Sequence, residues 1–234
     1  MELFFYFQYK GFLHKHPASV IFLPVEAVYF LSTRDGILKT MRMKGVVRME
    51  LRTERLILKK LDRRNAEDLF VYRSKEEVRK FQSFHPRSLQ QVEEFFQDLA
   101  EMPDIEDTWF QLGIHLKEEK KLIGDLGLHF LPDGCQVEIG YTLDPSYQGK
   151  GYATEAMHEI LKYLFEKLQK HRITASVDPL NEKSIRLLER LGFRREAYFV
   201  KGLFYEGAWV DDVIYAMLRE EWVEGMKTTQ NNSL

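Results

Sequence analysis

One cysteine, Cys135, stands in the 234 residues. It has no partner for an internal disulfide and cannot build a cysteine-based zinc site, so the sequence points to no oxidising compartment and no structural metal. Nor is there a large charge of one sign. Thirty-four Lys and Arg face 36 Asp and Glu, a formal net charge of −2 that excludes a strongly basic nucleic-acid-binding face. Long hydrophobic runs are missing too. The most apolar stretch, Ala18 to Leu31, is broken by Pro24 and Glu26 and falls short of the roughly 18 uninterrupted apolar residues that cross a membrane. No small-x-small cleavage site follows it, and Ser32-Thr33-Arg34-Asp35 is a poor substitute. With 44% apolar residues and only 7 prolines, disordered, collagen-like and low-complexity readings drop out as well. The default expectation is a cytoplasmic globular chain with no membrane and no nucleic-acid partner.

Charge is distributed unevenly. Residues 1–48 carry +4 and many aromatics (Phe4, Phe5, Tyr6, Phe7, Tyr9, Phe12) without a sustained helical or strand period, whereas the remaining residues carry −6. Residues 1–48 are therefore expected to be an extension of unknown role, disordered or upstream of a true start at Met49. An RNA contact driven by this basic segment is a third-ranked reading.

From Met49 onward the elements alternate. The pattern predicts a strand at Leu56 to Lys60 after a charged lead-in, a helix at Arg64 to Arg73, and a second helix capped by Ser88 with Val92, Phe95, Phe96 and Leu99 on one face. Strands follow at Trp109 to Lys117, Leu122 to Leu131 and Gln136 to Leu143, joined by short turns as an antiparallel meander. A helical face runs from Ala153 to Leu168, then a strand at Ile173 to Val177, a helix at Asn181 to Leu191 closed by Gly192, and a hairpin of Phe193–Leu203 with Ala208–Leu218. The domain is expected to end near residue 222, with a C-terminal tail over 223–234 that frays from Thr228.

The chemistry is concentrated between Tyr141 and Met157. In Gln148-Gly149-Lys150-Gly151-Tyr152-Ala153, two glycines let a backbone loop approach a ligand, and a helix begins directly afterwards. Free N–H groups and the positive end of a helix dipole make such a start an anion site suited to pyrophosphate. Taken alone, Gly-Lys-Gly is also an ordinary surface turn. Asp144 fills the place where a P-loop needs its first glycine, and Thr154 that of the third glycine of a dinucleotide fingerprint.

This segment resembles motif A of the GNAT superfamily of acetyl-CoA-dependent N-acyltransferases, Gln/Arg-x-x-Gly-x-Gly/Ala, filled by Gln148, Gly151 and Ala153. A second match, Asn181-Glu182-Lys183-Ser184 followed by Leu191-Gly192-Phe193, lies at the family's spacing. With Thr53-Glu54-Arg55-Leu56-Ile57-Leu58 and Glu138-Ile139-Gly140-Tyr141, the chain is most similar to the RimJ/RimL branch over residues 49–222.

The resemblance implies an α+β GNAT fold, a mixed and mostly antiparallel sheet flanked by helices, in which two strands splay apart to hold acyl-CoA. The donor would be acetyl-CoA, with no metal. Backbone N–H groups of Gly149, Lys150, Gly151, Tyr152, Ala153 and Thr154 would hold its pyrophosphate, Tyr141 and Leu143 would pair with the pantetheine as a strand does, and Asn181 would bond the same arm. Lys150, Lys183 or Arg186 would meet phosphate charge or remain solvated. Glu138 is the candidate base or water-positioner, with a structural role as the alternative. Ser184 is the candidate acid near the thiol, with helix capping as the alternative.

One departure matters. Many relatives place a tyrosine three residues before Leu-Gly-Phe, where this chain has Leu188. That keeps open a non-catalytic acyl-CoA-binding module. The expected acceptor is the α-amino group of a protein, ribosomal proteins included, with polyamines, amino acids and antibiotics as small-amine rivals. A homodimer is admitted. Trp209, Asp211, Asp212 and Tyr205 are candidates to border the acceptor site, whereas His115 and His129 are read first as packed or exposed and Cys135 as a turn residue.

Overall fold

The computed structural model describes residues 28–32, 38–42 and 49–231. Its chain divides into two units, residues 1–47 and 48–234. In the first, β1 (Val28–Ser32) pairs antiparallel with β2 (Leu38–Arg42), from Val28 opposite Arg42 to Ser32 opposite Leu38. No sustained period in the sequence marks either strand. The remaining expectations for the extension lie outside the described residues.

The second unit is built on an eight-stranded sheet in the order β3-β4-β5-β6-β7-β8-β10-β9. β3 (Glu50–Arg52) and β4 (Leu56–Lys60) form its opening hairpin. Then come the short helices α1 (Ala66–Arg73), α2 (Glu76–Arg79) and α3 (Leu89–Gln97). Asp62 caps the turn that leads into α1, and the Ser88 hydroxyl accepts from the N–H of Gln91 as a side-chain cap. The meander follows as β5 (Thr108–Leu116), β6 (Leu122–Phe130) and β7 (Gln136–Leu143), each antiparallel to the one before.

α4 (Tyr152–Lys162) crosses back over the sheet. Residues 163–167 continue it as a π-turn, closed by the N–H of Leu168 donating to the carbonyl of Tyr163, so the apolar face predicted to Leu168 is kept while its pitch widens. β8 (Arg172–Val177) then pairs parallel with β7, the one parallel pair of the described sheet. After α5 (Glu182–Arg190), β9 (Arg194–Tyr205) and β10 (Ala208–Leu218) form the final hairpin, with β10 inserted between β8 and β9. α6 (Arg219–Asn231) replaces the tail expected from residue 223, and the last three residues lie outside those described. Its Trp222 packs at 5.9 Å against Phe165, an anchor that a reading of its charged surface misses.

One face of the sheet carries the main core. Leu126 and Leu128 of β6 and Val137 and Ile139 of β7 close over Met157 and Ile160 of α4 and Leu164 of the π-turn after it, all with 2% exposure or less. Each such side chain contributes about 1.5–3 kcal/mol of burial free energy. The opposite face packs Leu69 and Tyr72 of α1 with Val92 of α3. A charge lies buried there. Asp125 of β6 is fully enclosed and accepts from the Tyr72 hydroxyl, the Arg73 guanidinium and the Gln111 amide. Burial acts to lower the Arg73 pKa, but the Asp125 charge overcomes this and holds it above its ordinary value.

Candidate active site

β7 and β8 separate. Their ladder covers Gln136 to Glu138 opposite Arg172 to Thr174 and stops, while β7 runs on to Leu143. The backbone direction beyond that point follows from antiparallel parity. The N–H of Asp144 donates to the carbonyl of Ile123 at 2.8 Å, and the register places Thr142 opposite Asp125 and Gly140 opposite Gly127. Alternate residues of such a strand turn their main-chain groups to the two sides. Tyr141 and Leu143 therefore present N–H and C=O to the open side, away from β6. Two side chains confirm the phase: Gln82 Nε2 donates to the Tyr141 carbonyl at 3.2 Å, and Gln148 Nε2 to the Leu143 carbonyl at 3.1 Å.

At the far end of this edge the chain passes Asp144 and Pro145 into the glycine loop. Gly149 and Gly151 have φ of +76° and +82°, in the left-handed region that favours glycine. A Cβ on Gly149 would meet nothing within 4 Å, whereas one on Gly151 would lie 3.2 Å from Arg55 Nη2. The first intrahelical bond of α4 is Glu155 N–H to the Gly151 carbonyl, and Gly151 brings no side-chain cap. The N–H groups of Tyr152, Ala153 and Thr154 are thus left as the helix start's anion donors.

Arg55 holds the loop. Its Nη1 donates to the Lys150 carbonyl at 2.9 Å, its Nε to Glu155 at 2.6 Å, and its guanidinium lies 4.5 Å from the Tyr152 ring centre. Thr53 adds a hydroxyl bond of 2.5 Å to Glu155. Burial raises the Glu155 pKa, but the bonds from Thr53 and Arg55 prevail and keep it below its ordinary value. Sequence alone gives Thr53 and Arg55 no such role, because Glu155 lies about 100 positions further along the chain.

A groove of about 1060 Å³ runs along this edge, between Leu143 and the Gln148–Thr154 loop on one side and Asn181, Lys183 and Leu187 on the other. Gly149, Gly151, Tyr152, Ala153 and Thr154 line it. Lys150 does not; its ammonium rests 5.2 Å from the Tyr147 ring centre because the loop turns that side chain outward. Lys183, Arg186 and Arg190 supply cations to the wall, and Lys183 bonds Gln148 Oε1 at 3.1 Å. Thr142 also lines the groove with a buried hydroxyl that has no hydrogen-bond partner among the described residues. An open strand edge, unfilled helix N–H groups, cations and an orphaned hydroxyl are the donor set that a pantetheine pyrophosphate fits.

A second cavity of about 230 Å³ lies further back along β7, from Glu138 to Tyr141, bordered also by Trp109, Tyr205, Asp211 and Asp212. Gly140 leaves its floor open, since a Cβ there would meet nothing within 4 Å. Burial, and secondarily the Glu138 charge, raises the Asp212 pKa, and Ser176 donates to Asp212 Oδ1 at 2.7 Å. The Tyr198 hydroxyl and the Lys201 N–H hold half-buried Asp211 below its ordinary value. Of the expected border group, Tyr205, Asp211 and Asp212 are present, whereas Trp209 leans on Phe204 outside the cavity. His129 stacks on Trp109 at 4.8 Å with Nδ1 3.7 Å from Glu138. His115 is buried against the Gly113 carbonyl, and Cys135 is exposed.

Groove and cavity meet at Tyr141, Asn181 and Ser184. Asn181 Oδ1 accepts from the Ser184 N–H at 3.2 Å and so caps α5. This corrects the capping alternative for Ser184, whose hydroxyl instead lies 2.6 Å from that of Tyr141. Burial, against the Ser184 bond, pushes the Tyr141 phenol up to about 12. Leu188 is fully buried in the core and presents nothing to the groove.

An acetyltransferase (GNAT) domain signature matches residues 55–194. The chain belongs to the GNAT acetyltransferase family. It is 30% identical over 174 residues, 74% of this chain and 99% of the relative, to the uncharacterized N-acetyltransferase YnaD of Bacillus subtilis (strain 168). It is 33% identical over 118 residues, 50% of this chain and 61% of the relative, to the [ribosomal protein uS5]-alanine N-acetyltransferase of Escherichia coli (strain K12). The crystal structure of a GNAT-family acetyltransferase from Bacillus anthracis superposes with a TM-score of 0.67 at 31% identity, covering 74% of this chain and 99% of that one. As a GNAT member the protein is an N-acetyltransferase with the mixed eight-stranded sheet and splayed strand pair of its family. No helix among the described residues is long and apolar enough to cross a membrane.

Proposed function

We propose that the protein transfers the acetyl group of acetyl-CoA directly to the α-amino group of a protein or peptide N-terminus, a ribosomal protein being the acceptor that its relative's name suggests. The observation that carries this reading is the meeting of groove and cavity at Tyr141 and Ser184. A donor laid along β7 brings its thioester to that junction from one side, and an amine reaches it from the other.

Acetyl-CoA supplies the thioester carbonyl that the amine attacks. The Tyr141 N–H on the open edge is placed to stabilise charge on the carbonyl oxygen. Glu138 takes the proton of the arriving ammonium, directly or through water, so that the nitrogen lone pair is free; an α-amino group near pKa 8 needs little help. As the C–N bond forms and the C–S bond breaks, the Ser184 hydroxyl gives a proton to the departing sulfur, Tyr141 replaces it across their 2.6 Å contact, and the second proton that the nitrogen sheds on becoming an amide returns through water to Tyr141. Neutral at physiological pH, Tyr141 takes the part that buried Leu188 cannot.

The carboxylates Glu138, Asp178, Asp211 and Asp212 around the cavity favour a cationic acceptor and put a small polyamine in second place. The test is release of CoA thiol with a peptide bearing a free N-terminus, the same peptide with its N-terminus blocked, and spermidine. Release with the free peptide alone supports the reading. Release with spermidine alone moves the assignment to small amines, and no release with any of them overturns it.

A further inference from the structure

Lys80, Phe81 and Gln82, between α2 and α3, line both the groove and the cavity. This partition is held from two sides by its main chain and its neighbours. The Tyr205 hydroxyl donates to the Gln82 carbonyl at 2.8 Å, His85 Nε2 stands 2.8 Å from Glu206, and Arg73 Nη1 donates to the Phe84 carbonyl at 2.9 Å. Toward β7 the link is a side chain, the Gln82 amide on the Tyr141 carbonyl. That carbonyl belongs to the open edge, where an added strand would set an N–H of its own. Its 3.2 Å bond is at the long end of the N–H···O range.

We propose that Gln82 is a placeholder on the donor edge. Its amide satisfies the Tyr141 carbonyl while the groove is empty, yields it to an amide N–H of the pantetheine arm of acetyl-CoA, and swings to the acceptor cavity that it also lines. The inference rests on the donor reading above. Because Tyr205 holds the Gln82 main chain, docking of the donor moves the side chain without moving the partition. Each donor molecule then exchanges one neutral amide bond for another, so the bond at Tyr141 adds little net affinity. Removing the competing amide unmasks it.

The test is calorimetric titration of the full chain, wild type, Gln82→Met and Gln82→Ala, with acetyl-CoA and with adenosine bisphosphate, which has the nucleotide but no pantetheine arm. The expected result is a Kd for acetyl-CoA lowered about 2- to 10-fold in both variants, the range of one ordinary hydrogen bond, with the adenosine bisphosphate Kd unchanged. Loss of a purely structural contact would instead weaken binding. An acetyl-CoA Kd that rises or stays constant in Gln82→Met, or a parallel shift for both ligands, overturns the placeholder role alone. Wild-type protein that binds neither ligand overturns the donor reading and the inference with it.

Discussion

The hydroxyls of Tyr141 and Ser184 lie 2.6 Å apart where groove and cavity join, one on the splayed strand and the other in the first turn of α5. Either atom can be the donor, which is what a relay to a departing sulfur needs. Ser184→Ala and Tyr141→Phe should each lower kcat about 100-fold while leaving the calorimetric Kd for acetyl-CoA within about twofold. Because the two act as a unit, the double variant should be no slower than the slower single one. Multiplying effects would show that they act separately.

Gly151 offers a sharper test of the phosphate end. Its φ of +82° disfavours any side chain, and a Cβ would press on Arg55, the residue that ties the loop to β4. Gly151→Asp adds a negative charge where α4 offers N–H groups. Acetyl-CoA binding should disappear in calorimetry, while thermal unfolding shows a folded protein. Wild-type affinity in a folded Gly151→Asp would place the pyrophosphate elsewhere.

Much of this site was legible in the chain because its signals are local. The alternating meander, Pro145 after the strand and the glycines before an apolar helical face place β7, the loop and α4 without knowledge of tertiary contacts. What escaped depends on partners far apart in sequence. Arg55 reaches Glu155 across 100 positions and Gln82 reaches Tyr141 across 59, and no periodicity encodes such distances. Ser184 was ambiguous for another reason. Its place in the first turn suits both a cap and a ligand contact, and only the direction of its hydroxyl, with Asn181 already capping, separates them. α6 was missed because its charged surface hides one buried anchor, Trp222.

The Asp125 network should dominate stability on the helical face. Asp125→Asn leaves Arg73 as a buried charge without its counter-ion and should cost about 3–5 kcal/mol, read from urea unfolding with an unchanged denaturant slope. Replacing both partners by apolar residues of similar size should cost less than either single change, since neither charge is then stranded. A loss below about 1 kcal/mol in Asp125→Asn would mean that water reaches the pair, as it does at exposed ion pairs.

His115 gives the stability a pH dependence whose sign is fixed. Burial, and after it the charge of Lys59, lowers its pKa in the folded chain. Above the unfolded value of about 6.5 neither state binds the proton, and the full stability is present. Below it the unfolded chain takes up a proton that the fold resists, so stability falls as pH drops from there toward the depressed folded value. His115→Gln removes that proton from both states. Urea midpoints for wild type and variant should therefore converge as pH falls from about 7.5 to about 5.5, with the wild type losing more. Parallel midpoints across that range would show that His115 takes up a proton equally well in the folded chain.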